Sequence, residues 1–211
     1  MTAPQVFLLS AFGLCLVVSV YMLVETIASG GLRDPSARRG SPAAGVLYSV
    51  TAAMMPWKKE SAKLHVPIFV LGVAYHLGTF LAVFWVGAVA VGASLSARLA
   101  APSAVLLAAT ALCGVALLVR RLGDRALRYF SSPDDYFSNA LVTGLQALAC
   151  LALVRESFEP ALLIWAGLVF IYLPFGKLRH AIYFVPVRFL LGSFYGKRGV
   201  WPAPGRRPWR D

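Results

Sequence analysis

The stretch LHVPIFVLGVAYHLGTFLAVFWVGAVAVGASLSA, residues 64–97, contains no Asp, Glu, Lys or Arg. A helix needs roughly 20 mostly apolar residues to cross the hydrocarbon core of a bilayer, and this run exceeds that length. It is apolar on every side rather than along one stripe, unlike a surface helix of a soluble bundle. Four further charge-free runs, 1–24, 99–119, 136–154 and 160–176, repeat the pattern. The whole chain is 59% hydrophobic and 14% charged, with a mean hydropathy of +0.71. A soluble domain is nearer half apolar and a quarter charged. The expected fold is therefore an all-α membrane protein, a five-transmembrane-helix bundle forming one domain. Its helices are expected at about 5–27, 66–92, 103–121, 134–154 and 160–190, with 191–211 as a basic tail. The first run lacks a basic n-region and is long for a signal peptide, so it reads as a helix of the mature protein.

Charge placement sets the expected orientation. With five crossings, Arg98 and Arg155 share one side with the N-terminus, and the remaining Lys and Arg fall on the other, 18 against 2. Under the positive-inside rule the N-terminus faces outward and the C-terminus the cytoplasm. The same asymmetry accounts for the +11 net charge without nucleic acid, for which no base-reading element is present. The expected location is a bacterial-type inner membrane. Cys15, Cys113 and Cys150 lie inside charge-free runs with no CxxC spacing, which suits packing rather than metal ligation.

The connections carry their own signals. Residues 45–63, GVLYSVTAAMMPWKKESAK, are too interrupted to span. Met54, Met55 and Trp57 beside Lys58, Lys59 and Lys63 suit a helix or turn at headgroup depth. Ser132-Pro133-Asp134-Asp135 has the form of a helix start: a polar cap, Pro at the first position, then acids at the positive end of the dipole.

Ionisable groups inside a membrane usually mark function, which directs attention to the three histidines. His65 stands at the start of the second helix beside Lys63, where an interfacial role suffices. His76 has apolar neighbours on both sides. His180, in PFGKLRHAIYFVPVRF at 174–189, is expected at a comparable depth on a helix of opposite direction. Two imidazoles at one depth on different helices suit the axial pair of a b-type haem, or two histidines hydrogen-bonded within a bundle. Gly72 and Gly78 flank His76 at i−4 and i+2 and would let a flat macrocycle approach the helix.

Residues 174–180, PFGKLRH, followed by Val185-Pro186-Val187, resemble the last transmembrane helix of the respiratory nitrate reductase gamma subunit family. YHLGTFLAVFWVG, from Tyr75, is similar to that family's second helix. The resemblance implies a quinone-linked cytochrome b with His76 and His180 as haem ligands and an iron–sulfur partner in the cytoplasm. His65 paired with His180 is the alternative registration. The family's second, outer haem would need histidines near positions 86 and 162, where Val86 and Leu162 stand, so one haem b is expected. That single-haem pattern, with the FYGKRGVWP tail, is closer to relatives associated with sulfite reduction and heterodisulfide-reductase-like iron–sulfur proteins.

Haem supplies one-electron chemistry, while the protein sets its position and potential through ligands, burial and charge. The chain is then an electron-transfer subunit rather than a complete enzyme, exchanging electrons with quinol or quinone in either direction. Lys63, Arg128, Arg179 and Arg188 are the candidate propionate contacts, each also an ordinary interfacial cation. Tyr75, Tyr172 and Tyr183 could line a quinone pocket or simply pack. Two rival classes are a haem-free membrane anchor and a small transporter, the second expected to show helices broken at mid-bilayer and buried acids. No Ser/His or Asp/Asp constellation at matched depth supports an intramembrane protease.

Overall fold

A computed structural model describes residues 1–29, 36–58, 63–93 and 96–202. Lys59, Arg33 and the basic tail from 203 onward lie outside the described residues. Among those described there is no strand, and the elements are helices throughout. They are α1 (Ala3–Ser29), α2 (Pro42–Val50), α3 (Val66–Ala90), α4 (Ala97–Gly123), α5 (Arg125–Phe130), α6 (Pro133–Val154), α7 (Glu159–Tyr172) and α8 (His180–Lys197). Short 3₁₀ turns cover Ala52–Met54, Pro56–Lys58, Glu156–Phe158 and Lys177–Arg179. Four helices, α1, α3, α4 and α6, are long and apolar enough to cross a membrane, and a fifth crossing is reached if α7 and α8 form one span. Their length and composition mark a multi-pass membrane protein.

The chain divides into two compact units, Met1–Val20 with Pro67–Arg179, and Tyr21–Val66 with His180–Asp211. In the first unit, α1, α3, α4, α6 and α7 run alternately up and down. Gln5 at the start of α1 donates from Nε2 to the Ala90 carbonyl at the end of α3, 3.1 Å away, which identifies one end of the bundle. Arg121, near the end of α4, pairs with Asp135 in the first turn of α6 at 3.1 Å, which identifies the opposite end. The core between these ends is Leu8, Ala82, Trp85, Val86, Leu107, Leu145, Ala149, Leu162 and Ala166. Phe12 meets Phe170 edge to face at 5.2 Å, an arrangement the aromatic quadrupole favours.

Helix α6 begins where its cap signal expects. Pro133 is the first residue, and the Asp135 carboxylate accepts from the Ser132 N–H at 2.9 Å and the Ser132 hydroxyl at 3.1 Å. This is the reciprocal half of a capping box. Helix α4 starts six residues earlier than expected, running through Pro102, which this early in a helix forfeits only one hydrogen bond.

The last helix departs from expectation. A single helix over about 160–190 is expected, but α7 stops at Tyr172 and α8 starts at His180. Pro174, fully buried, lies at the break: it has no N–H to continue the helical ladder, while Leu173 before it still keeps helical dihedrals (φ −50°, ψ −48°). Gly176 lies under the Tyr172 ring, where a methyl group would collide. Helix α8 also continues beyond the expected boundary at 190, to Lys197.

In the second unit α2 packs on α8 through glycines. A methyl group on Gly192 would lie 2.5 Å from the Val46 Cα, and one on Gly196 would lie 2.5 Å from the Ser41 carbonyl oxygen. Gly192 and Gly196 are spaced as GxxxG, which lets two helix backbones touch. The N–H groups of Arg39 and Gly40 donate to the Lys197 carbonyl at 2.8 and 3.0 Å, satisfying an acceptor that the helix end leaves open. Gly199, at φ +70°, supplies the left-handed residue past that end. Trp201 closes the unit against Tyr195 and Tyr48, at centroid distances of 4.7 and 5.7 Å. The segment after α2, expected at headgroup depth, forms two 3₁₀ turns, with Trp57 66% exposed.

Candidate functional site

His76 is exposed on α3, and its Nδ1 lies 2.7 Å from the carbonyl oxygen of Gly72 one turn earlier. A carbonyl can only accept, so the bond assigns the proton to Nδ1 and the ring lone pair to Nε2. Histidines that ligate metals commonly have this second-nitrogen bond, because it fixes the tautomer and the ring orientation. The space beside Gly72 is open: a methyl group added there would meet no atom within 4 Å. Gly78 differs. Two residues on from His76, it faces away from the imidazole, and the room beside it is filled by Thr110 and Gln146. Gly78 thus serves contact between helices rather than approach of a flat group to His76.

The remaining candidates are distributed between the units. His76, Arg128 and Arg179 belong to the first, and Lys63, His65, His180 and Arg188 to the second. His65, His180, Lys63, Arg128 and Arg179 are exposed. The Arg188 guanidinium lies 5.6 Å from the Phe184 ring centroid. Val86 and Leu162, the positions where a second haem would need histidines, are packed in the core of the first unit at 3% and 0% exposure.

A polar seam inside the first unit was not anticipated from the sequence. Gln146 on α6, fully buried, donates from Nε2 to the Tyr75 carbonyl at 3.1 Å and to Thr79 Oγ1 at 3.0 Å. The Tyr75 hydroxyl donates to the Asn139 carbonyl at 3.0 Å and shares a 3.0 Å hydrogen bond with Thr143 Oγ1. Asn139 donates from Nδ2 to the Gly114 carbonyl of α4 at 3.4 Å. A methyl on Gly114 would lie 2.5 Å from the Tyr75 ring, so glycine provides the room that the tyrosine occupies. The signal was present: Asn139, Thr143 and Gln146 recur at i, i+4 and i+7 in an otherwise apolar run, one face of a helix. Hydrogen bonds between membrane helices hold such faces together.

A second cluster closes one end of the unit. Asp135 pairs with Arg121 and Lys177, while Tyr172 donates to Asp134. Arg121 also donates to Ser131 Oγ at 2.9 Å. The break after Tyr172 is thus pinned to the first turn of α6, at one end of the bundle. Tyr75, by contrast, meets α6 at Asn139, Thr143 and Gln146. At about 1.5 Å per residue, that is roughly 6 to 16 Å further in than Asp135. Lys177 and Tyr75 therefore sit at different levels of the first unit, and His180 lies in the second unit.

At the opposite end, Trp85, Val89, Ala100, Ala149, Glu156 and Leu162 are among the residues lining a cavity of about 180 Å³. The Trp85 indole N–H is buried there with no hydrogen-bond partner among the described residues, a donor that costs free energy unless an acceptor reaches it. No protein-family model, curated protein or solved structure matches this chain.

Proposed function

We propose that the protein is a haem b-containing membrane subunit of a respiratory redox complex, exchanging electrons between membrane quinol or quinone and a cytoplasmic iron–sulfur partner. His76 and His180 are the axial ligands, with His65 as the alternative to His76, and Arg179 and Arg188 are the propionate contacts nearest His180 in sequence. The observation that carries this reading is the Nδ1 bond of His76 to Gly72, which assigns the lone pair to Nε2 in a helix with open space beside Gly72. One-electron transfer is what haem supplies when bound. The chain's part is to fix the ligand tautomer, exclude water with apolar helices and place cations near the membrane surface. The packed Val86 and Leu162 support one haem rather than two. The Trp85 cavity offers a quinone carbonyl a donor, in walls that also carry Glu156 and Glu159. The cation asymmetry supports an outward N-terminus in a bacterial-type inner membrane.

A haem-free anchor is the second reading, favoured by the polar seam, which joins α3, α4 and α6 without a cofactor. Reduced-minus-oxidised spectra of purified membranes separate the two. The expected result is a b-type α-band, about one haem per chain, lost in His76→Ala and in His180→Ala while both variants elute like the parent. Unchanged spectra in both variants would overturn the assignment. Two haems per chain would overturn the single-haem reading, and loss only in His65→Ala would shift the ligand.

A further inference from the structure

The last turns of α4 and the first turns of α6 leave a shallow apolar groove, lined by Leu118, Leu122, Pro133, Tyr136, Phe137 and Ala140 together with Asp134. The connection joining these two helix ends carries Arg125 and Arg128 on α5, with Arg120 on the adjoining turn of α4. None of the local acids forms an ion pair with Arg120, Arg125 or Arg128 among the described residues, and the five cations Arg120, Arg121, Arg125, Arg128 and Lys177 outnumber the three acids Asp124, Asp134 and Asp135 by two. Asp135 is taken by Arg121 and Lys177, and Asp134 by the Tyr172 hydroxyl. The Asp124 Oδ1 accepts the N–H groups of Ala126 and Leu127 at 2.8 and 3.2 Å. Arg120, Arg125 and Arg128 are exposed and form no ion pair among the described residues. Tyr129 and Phe130, 84% and 81% exposed, stand next to them edge to face at 5.3 Å, as aromatics do at headgroup depth.

An apolar groove between two helix ends whose short connection carries guanidinium groups outside any ion pair is complementary to an amphiphile with an anionic head. A soluble anion would leave the groove uncovered, and a zwitterionic lipid would leave the excess positive charge in place. We propose that this groove binds an anionic phospholipid, an acyl chain lying along Leu118, Leu122, Phe137 and Ala140 and the phosphate held by Arg125 and Arg128. Planar guanidinium forks suit phosphate oxygens. The assignment moves Arg128 from the candidate propionate contacts to the lipid, and it does not depend on haem.

The test is native mass spectrometry of the full chain, purified in detergent and titrated with phosphatidylglycerol or phosphatidylcholine. The parent is expected to retain phosphatidylglycerol roughly tenfold or more in preference, at about 1 kcal/mol per basic residue near the headgroup. Arg125→Gln with Arg128→Gln should abolish the preference, while Arg125→Lys with Arg128→Lys keeps most of it. Ala140→Trp, which fills the groove, should reduce retention of both lipids. Equal retention by the parent overturns the proposal, as does a preference untouched by the double Gln variant. A second copy of the chain seated on the groove, seen as a dimer that Ala140→Trp dissociates, overturns it too.

Discussion

The two units solve the same problem in opposite ways. In the first, α3, α4 and α6 are joined by side chains that reach across: Gln146 to Tyr75 and Thr79, Tyr75 to Asn139 and Thr143. In the second, α2 and α8 are joined because side chains are missing, at Gly45, Gly192 and Gly196. Inside a bilayer the hydrophobic effect does little to hold helices together, so association comes from packing and interhelical hydrogen bonds. Each unit emphasises one of these. A polar seam tolerates the loss of one bond, since neighbours remain. A backbone contact tolerates nothing inserted into it.

The largest effect should come from Gly196→Leu. Its first added carbon would lie 2.5 Å from the Ser41 carbonyl and 2.9 Å from the Gly45 Cα, both backbone atoms. Overpacking against side chains costs about 1–3 kcal/mol. Here the helices must separate, so thermal unfolding in detergent should show loss of the second unit, with proteolysis near α2. A melt unchanged from the parent would refute the close approach. Next comes Gln146→Leu, which removes two hydrogen bonds but also a buried amide oxygen without a partner. A net loss of about 1 kcal/mol is expected from chemical denaturation in micelles, and a gain in stability would mean that the seam is a cost rather than a clasp. Tyr75→Phe should cost less, about 0.6 kcal/mol, because Asn139 and Thr143 keep each other, with the Thr143 hydroxyl donating to Asn139 Oδ1 at 3.2 Å. The smallest effect belongs to Gly72→Ala. Open space beside it leaves only helix propensity, a gain of up to about 1 kcal/mol. If it destabilises the chain as Gly196→Leu does, glycine spacing alone would not distinguish the units.

Much of the first unit was legible because charge-free length is a strong signal and α6 announces its start with Ser132, Pro133 and two acids. What the residues could not give was registration. Asn139, Thr143 and Gln146 mark a polar face, but their partners Tyr75 and Thr79 lie on another helix, about 70 residues away in the chain. The break after Tyr172 was readable from Pro174, yet the apolar run on both sides of it favours continuity. Gly192 and Gly196 fell within a stretch expected to begin a tail, so their GxxxG spacing had no helix to belong to. At the candidate site, position in sequence picked out His76. The Gly72 bond, and the filling of Gly78 by Thr110 and Gln146, depend on atomic arrangement that no spacing encodes.

The contact between α2 and α8 also sets an order of events. Gly45 emerges from the ribosome about 150 residues before Gly196, which at roughly 5–20 residues per second means a wait of about 8 to 30 seconds. During that interval α2 presents bare backbone with nothing to close on, and Arg39 and Gly40 have no terminal carbonyl to receive them. The last helix to be made is thus the one that releases the earliest unfinished surface. A chain ending before Gly192 should linger with chaperones or the insertion machinery, however well its first unit has assembled.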